Sequence, residues 1–530
     1  MPLQDKLRLV QDDGFRLILT LSFLWILAKL LYAFTLSPLR YIPGPKVARI
    51  TALRAIRNRL PKNVIRYALH DFHTYGDIYI SKPDTITLSN PVHARAVLGA
   101  LDSRKMDIYK SLSDPVMKNL VTFSEPRLAS QRRRQIGPYL NSPSYLARME
   151  QVVLQYGAVS MMQKWNEQLD SAASGDIDGD RDTRTTELNY RNDTQLATFN
   201  IMSALAFGRV DKATSDSSRV VDWIAATAVY IGISINFRIL LRFPLSLLVR
   251  PWLRKYDDFV GYARESVRQR KELLDENPVD KTPADMLQAF IDAEDPDSKI
   301  KMSPLEVQAE SVGMQLAGSE TTSASLTWVF HLLTLYPDVL DRAVGQVRSR
   351  FGADHLISYT DCKQHLPYLE ALVYETFRFA PITSGFMPRV CSKDMSFQGY
   401  RVPAGSHIAF NLMAMNNHPD VWDQPDRFLP ERFLGNEDAK RNIFAFSYGP
   451  RSCIGRNLAW MEIMTILANV LNTFDIRLPE DAVYGPHNVD GNGTPVMMPS
   501  HCHIVFAPQR PDRDCRLLVS RRPPPREARG

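Results

Sequence analysis

Cysteine is scarce and irregularly placed. Five residues in 530 (Cys362, Cys391, Cys453, Cys502 and Cys515) are odd in number and contain no CxxC pair, which excludes a disulfide-stapled secreted scaffold and offers no zinc spacing. A reducing compartment fits this usage. The chain also lacks a Gly/Ser-rich or Pro-rich linker through its middle and any internal repeat, so its length is read as one large domain rather than several. Charge of either sign is not in large excess. The 64 Lys+Arg against 58 Asp+Glu leave +6, a balance that argues weakly for nucleic acid and suits a solvated surface, a membrane surface or an acidic partner equally. No nucleotide-binding fingerprint is apparent. With 45% hydrophobic and 23% charged residues, the composition is that of a globular protein with a sizeable core.

What is present begins with a long apolar run. "LILTLSFLWILAKLLYAFTL", residues 17–36, carries Lys29 as its only charge and is long enough to cross roughly 30 Å of hydrocarbon. It is read as one membrane anchor, preceded by a lumenal segment at 1–16. A cleaved signal peptide fits less well, because "SPLRYIPGPK" follows in place of a small-residue cleavage site. Past the run, Arg40, Lys46, Arg49, Arg54, Arg57, Arg59 and Lys62 stand without an acid among them, which puts the body on the cytosolic side. Residues 37–62 form a hinge that is basic and proline-rich, with Pro43 and Pro45 stiffening it.

The body, residues 63–508, is read as mainly α with small β-sheets. Alternation in "DIYISKPDTITLS" (77–89) and "MSFQGYRVPAGSHIAF" (395–410) predicts hairpins. The polar stretch 170–185 is expected to be a mobile loop, and the basic, proline-rich tail 509–530 to be disordered. One helix is well marked at its start: Ser303 as N-cap, Pro304 at the first position and Glu306 completing a capping box. Pro337 marks its end. Along it Met314, Ala317, Gly318, Thr321 and Ser325 share a face, either for close packing or to leave room for a ligand. "AGSETT" adds a glycine that weakens the helix at mid-length, predicting a kink, with Glu320 and Thr321 beside it as an acid and a hydroxyl. Elsewhere Glu375 and Arg378 are i, i+3 neighbours in "ETFR", and Arg432 in "PERF" offers a third charge for a buried network.

The stretch "FSYGPRSCIG", 446–455, sets Cys453 between glycines at the mouth of an apolar helix. A lone cysteine is usually an inert small hydrophobe. Here Gly449 and Gly455 permit close approach of a flat ligand, Phe446 supplies an aromatic wall, and Arg451 can meet a carboxylate. The following helix presents unsatisfied amides that favour a thiolate. Together these describe a soft, anionic ligand under a planar, carboxylate-bearing cofactor, haem.

These four motifs, in this order over roughly residues 40–508, resemble the cytochrome P450 haem-thiolate monooxygenases. The resemblance implies haem b ligated by Cys453 and oxygen protonation served by Thr321 with Glu320. It further implies a core locked by Glu375, Arg378 and Arg432, and propionates held by Arg133, Arg389 and Arg451. Ala129 stands where the family often has Trp or His, which leaves Arg133 to be distinguished from Arg132 and Arg134. An NADPH-dependent reductase in the endoplasmic reticulum membrane is the implied electron donor, with cytochrome b5 an optional one. The implied reaction is oxidation, chiefly hydroxylation, of a lipophilic small molecule, and the flavour of "SPLRYIPGPKVARI" resembles filamentous-fungal members of specialised metabolism. Segments 105–123, 223–237, 381–388 and 493–499 are the expected pocket walls. Alternatives of the same fold are an isomerase or dehydratase needing no reductase, and a haem-binding sensor.

Overall fold

The computed structural model describes residues 3–58, 63–112, 118–173, 185–208, 217–276, 285–383, 387–502 and 505–523. The first helix, α1 (Leu3–Leu31), runs on through a π-turn, Tyr32–Leu36. Within this stretch Phe15–Leu36 has a mean hydropathy of 2.1 and is only 6% buried, so its apolar side chains meet no protein core. By length and composition it can cross a bilayer. The hinge after it folds onto the body. Arg49 donates to the carbonyls of Arg40 (2.7 Å) and Ile42 (2.5 Å), and the Ile80 amide donates to Pro43 O at 2.8 Å.

The expected hairpin at 77–89 is β1 (Ile78–Lys82) against β2 (Thr85–Leu88). With β3 (Arg104–Lys105), β5 (Arg389–Val390) and β8 (His407–Phe410) they make a five-stranded sheet in the order β1-β2-β8-β5-β3, β2 and β8 being its parallel pair. Helix α2 (Pro126–Asn141) carries the arginine run, and β4 (Thr186–Asn189) leads into α3 (Tyr190–Phe207), which packs along α4 (Pro304–Leu335). The second expected hairpin is β6 (Met395–Phe397) with β7 (Tyr400–Val402).

Helix α4 begins at the capping box Ser303–Glu306 and ends before Pro337. From Thr322 to Leu335 it is buried all round, as suits a helix at the centre of a large domain. Helix α4 is assigned as α-helix without a break through Gly318. A Cβ on Gly318 would lie 2.5 Å from Met202 Sδ, so this glycine serves the close approach of α3 to α4.

Helix α5 (Pro367–Phe379) carries "ETFR", and α6 (Arg456–Thr473) follows the cysteine loop. A small sheet joins β10 (Ser500–Cys502) to β11 (Phe506–Pro508). The tail corrects the sequence reading. Within 509–523 it forms a short helix, Pro511–Asp514, and β12 (Arg516–Arg521), the middle strand between β4 and β9 (Phe474–Arg477). Alternation explains its order, since Leu517 and Val519 are fully buried while Arg516 and Arg521 reach Glu187, Asp481 and Asp170. Residues 524–530 lie outside the described residues, as does most of the loop expected at 170–185.

Candidate functional site

A cavity of about 240 Å³ lies between α4 and the loop that precedes α6. The small-residue face of α4 forms one wall through Met314, Ala317, Gly318 and Thr321, so the packing and ligand readings of that stripe both hold at different atoms. Opposite stand Phe446, Arg451, Cys453 and Gly455.

The cysteine loop is held by local geometry. Gly449 takes a positive φ of 71°, and a Cβ there would collide with Leu98 O, so no other residue sits comfortably in that turn. The Cys453 amide donates to Phe446 O at 2.8 Å, while the Phe446 ring is edge-on to Phe377, centroids 5.5 Å apart. Of the five cysteines Cys453 is the exposed one, and it opens into the cavity although the thiol lies deep within the protein. Burial pushes this thiol up; the Gly455 N–H and the cations Arg133, Arg456 and Lys105 pull towards thiolate. A bound metal completes that deprotonation.

Four cations gather on one side: Lys105, Arg133, Arg389 and Arg451. None has a carboxylate partner among the described residues. Burial drives the Lys105 ammonium well below its ordinary value, with repulsion from Arg451, Arg389 and Arg133 adding to it. Arg451 is pushed down to about 10, first by burial and then by Arg389. Carbonyls satisfy them only in part. Lys105 Nζ donates to Val121 O at 2.9 Å, Arg133 Nη1 to Ser452 O at 2.7 Å, and Arg451 Nη2 to Phe123 O. Arg451 Nη1 and Arg389 Nε are buried without a protein partner. So much unpaired positive charge in a low-dielectric pocket calls for an anion, and the two carboxylates of a haem beside a thiolate ligand fit this donor set.

The three neighbouring arginines point to different places. Arg133 faces the cavity, whereas Arg132 is bound to Glu306 and Glu310 of α4, and Arg134 to Asp295. Arg389 sits behind the wall, donating to Met387 O and Pro388 O. Thr321 lines the cavity and its hydroxyl donates to Ala317 O at 2.7 Å. Glu320 requires a correction, because the structure does not bring it to the cavity beside Thr321. One helical residue turns it by about 100°, and its carboxylate accepts from Arg191 (2.6 Å) and Gln195 (3.2 Å) on α3.

Glu375, Arg378 and Arg432 meet in the core. Arg432 Nε reaches Glu375 Oε1 at 3.2 Å, and Arg378 also binds the carbonyls of Asn416, Pro425 and Arg427.

Of the expected pocket walls, 105–123 contributes Lys105, Leu120 and Val121, and 381–388 contributes Ile382 and Thr383, while 113–117 and 384–386 lie outside the described residues. Segment 223–237 does not reach the cavity. It packs instead against the helix Arg250–Glu276, with Tyr230 stacked on Tyr256 at 4.0 Å. Segment 493–499 also falls short, with the Met498 amide tied to His331 Nε2. Sequence reasoning missed Lys105 as an anion-facing group, Thr322 and Glu462 as wall residues, and Met202 and Met286 as lining. A lysine in a two-residue strand carries no motif that would mark it in the sequence.

Comparison with known proteins agrees with this geometry. The family model described as Cytochrome P450 matches residues 43–498. The chain is 58% identical to "Cytochrome P450 monooxygenase helB2" of Aspergillus fumigatus over 502 residues, covering 94% of this chain and 97% of that protein. It is 48% identical to "Cytochrome P450 monooxygenase helB1" of the same organism, covering 93% and 84%. It is 27% identical to "Cytochrome P450 monooxygenase tpeC" of Talaromyces stipitatus, covering 86% and 87%.

Proposed function

This chain belongs to the cytochrome P450 family, and on that premise we propose that it is a membrane-anchored, haem-thiolate monooxygenase that oxidises a lipophilic small molecule in fungal specialised metabolism. The single observation that carries the reading is Cys453 facing a cavity lined by Lys105, Arg133 and Arg451, with Arg389 behind them, none of the four in an ion pair among the described residues. The haem, when bound, supplies activation of dioxygen for insertion into a C–H bond.

The chain's own residues do the rest. Cys453 Sγ provides the anionic ligand, stabilised by the Gly455 N–H at the start of α6. Lys105, Arg133 and Arg451 hold the cofactor's carboxylates and so fix its orientation, with Arg389 adding positive charge behind them. Thr321 donates its hydroxyl proton to Ala317 O; rotation about the Cβ–Oγ bond turns that proton to the cavity, where it serves proton delivery. Glu320 fixes α4 against α3 through Arg191 and gives no direct proton. Leu120, Val121, Met202, Met286, Met314 and Ile382 make most of the remaining wall apolar, which selects a lipophilic substrate.

Electrons come from outside, through an NADPH-dependent reductase, since the chain has no nucleotide fingerprint of its own. The endoplasmic reticulum membrane is the proposed location, with Phe15–Leu36 as the anchor. A second apolar surface supports membrane contact: Phe237, Ile239, Phe243, Leu247, Leu248 and Trp252 are all exposed, interleaved with Arg238, Arg242 and Arg250. That mixture suits an interface with acidic headgroups.

Deleting the gene and profiling metabolites is the direct test. A lipophilic compound should accumulate, and the full chain should consume it only with reductase and NADPH. Consumption without NADPH indicates the isomerase reading instead.

A further inference from the structure

The turn 119–123 joins the apolar wall of the cavity to its cations. It is closed on itself: the Thr122 and Phe123 amides donate to Asn119 O at 3.0 and 3.1 Å, and the Val121 and Thr122 amides to Asn119 Oδ1 at 3.1 and 3.2 Å. Two of its carbonyls accept from the cation group, Val121 O from Lys105 Nζ and Phe123 O from Arg451 Nη2, while Leu120 and Val121 line the cavity.

The turn is also fastened to α4. Glu310 is buried and does not line the cavity, yet both its oxygens accept from the Leu120 amide, at 2.9 and 3.2 Å. The same carboxylate binds Arg132 Nη1 at 2.7 Å, and the Arg132 guanidinium lies 5.5 Å from the centre of the Phe123 ring. One helical turn further on, Gly313 makes room for the turn: a Cβ there would lie 2.6 Å from Asn119 Nδ2, which donates to Ala309 O at 3.4 Å. Alanine is the better helix former at such a place, so the glycine answers to Asn119 rather than to α4. A buried carboxylate is costly unless its oxygens are filled. Here a wall amide and an arginine of α2 fill them, and what they fix is position.

We propose that Glu310, with Gly313, is a positioning residue for substrate recognition, setting from outside the cavity how far the Leu120–Val121 wall stands from α4 and hence which lipophilic molecules the cavity admits. This rests on the haem-thiolate reading. The wall is held from two sides, by the cations that meet the cofactor's carboxylates and by Glu310.

The test uses the full chain in lipid nanodiscs, loaded with haem, kept ferric and titrated with two iron-binding probes. Imidazole is small enough to need no wall, whereas clotrimazole carries three aryl rings that press on it. Dissociation constants are read from the shift of the Soret band. Glu310→Ala should weaken clotrimazole about tenfold, the equivalent of one lost hydrogen bond, and leave imidazole within about twofold. Glu310→Gln still accepts from the Leu120 amide and should stay within about threefold of wild type for clotrimazole. Unchanged clotrimazole binding in Glu310→Ala overturns the proposal, because the wall has not moved. An equal loss for both probes overturns it as well, because the seat of the haem and not the wall is then disturbed. Glu310→Gln as weak as Glu310→Ala overturns the tether through Leu120.

Where Glu310→Ala does not retain haem, Gly313→Ala decides, since its methyl pushes on Asn119 while favouring the helix. Clotrimazole should weaken about fivefold with imidazole unchanged; a lowered melting temperature with both constants unchanged overturns the proposal. The reduced carbon monoxide adduct separates the two levels. An unshifted Soret band in wild type sinks the underlying reading, and a red-shifted band with clotrimazole binding absent or unaltered by the variants sinks the positioning role alone.

Discussion

Glu375 and Arg378 form a closed ion pair with no exposed surface on either side chain, Nε to Oε2 at 2.7 Å and Nη2 to Oε1 at 2.8 Å. Exposed i, i+3 pairs contribute little. This one is different because Glu375 also accepts from Arg432 and the Leu429 amide. Glu375→Ala leaves the Arg378 guanidinium buried without its counter-charge, a loss of about 3–5 kcal/mol. The expected outcome is failure to accumulate haem-loaded protein, measured by absorbance per unit of purified chain. A wild-type yield and melting temperature would contradict the structural role.

Gly318→Ala forces a Cβ against Met202, whose Sδ, Cε and Cγ all lie within 2.9 Å of that point. Overpacking of this kind costs about 1–3 kcal/mol. Met202→Ala in the same chain should recover part of the lost melting temperature. A double-mutant cycle with no coupling would mean that α3 and α4 shift apart without strain.

The pair Glu310–Arg132 gives stability a pH dependence. Glu310 is held by Arg132 Nη1 at 2.7 Å and accepts from the Leu120 amide at 2.9 Å, yet burial pushes it up to about 7 from an ordinary 4.5. With the folded value above the unfolded one, its contribution is fully present below the unfolded value and is lost as pH rises through about 7. The slope reaches at most about 1.4 kcal/mol per pH unit. Glu310→Gln should flatten the melting temperature between pH 4.5 and 7 relative to wild type. Parallel curves for the two proteins would show that Glu310 does not titrate there.

Thr321→Ala removes a hydroxyl from the cavity wall and keeps a good helix former in α4. Haem content should persist while the ratio of oxidised product to NADPH consumed falls, with hydrogen peroxide rising in its place. An unchanged ratio would exclude proton delivery through Thr321, and lost haem would make the residue structural.

Local signals were legible in the sequence and distant partners were not. The capping box at Ser303, the glycine-flanked Cys453 and the spacing of Glu375 and Arg378 all act within a few residues. Glu320 was misread because its partner, Arg191, lies 129 residues away on another helix. The tail was misread for the same reason: β12 is ordered by β4 and β9, and composition does not report strands contributed from elsewhere. For Gly318, propensity speaks of the helix alone, while Met202 supplies a reason for a glycine from outside it. Lys105 shows only in space, where Arg133, Arg389 and Arg451 converge on it.

Ligation by the Cys453 thiolate is tested most directly by the absorption spectrum of the reduced carbon monoxide adduct, in wild type and in Cys453→Ser. Only a thiolate donates enough charge to red-shift the Soret band strongly. Wild type should show the shifted band, Cys453→Ser should lose it, and replacement of Cys362, Cys391, Cys502 or Cys515, which are all buried, should leave it in place. A shifted band that survives in Cys453→Ser would contradict the assignment.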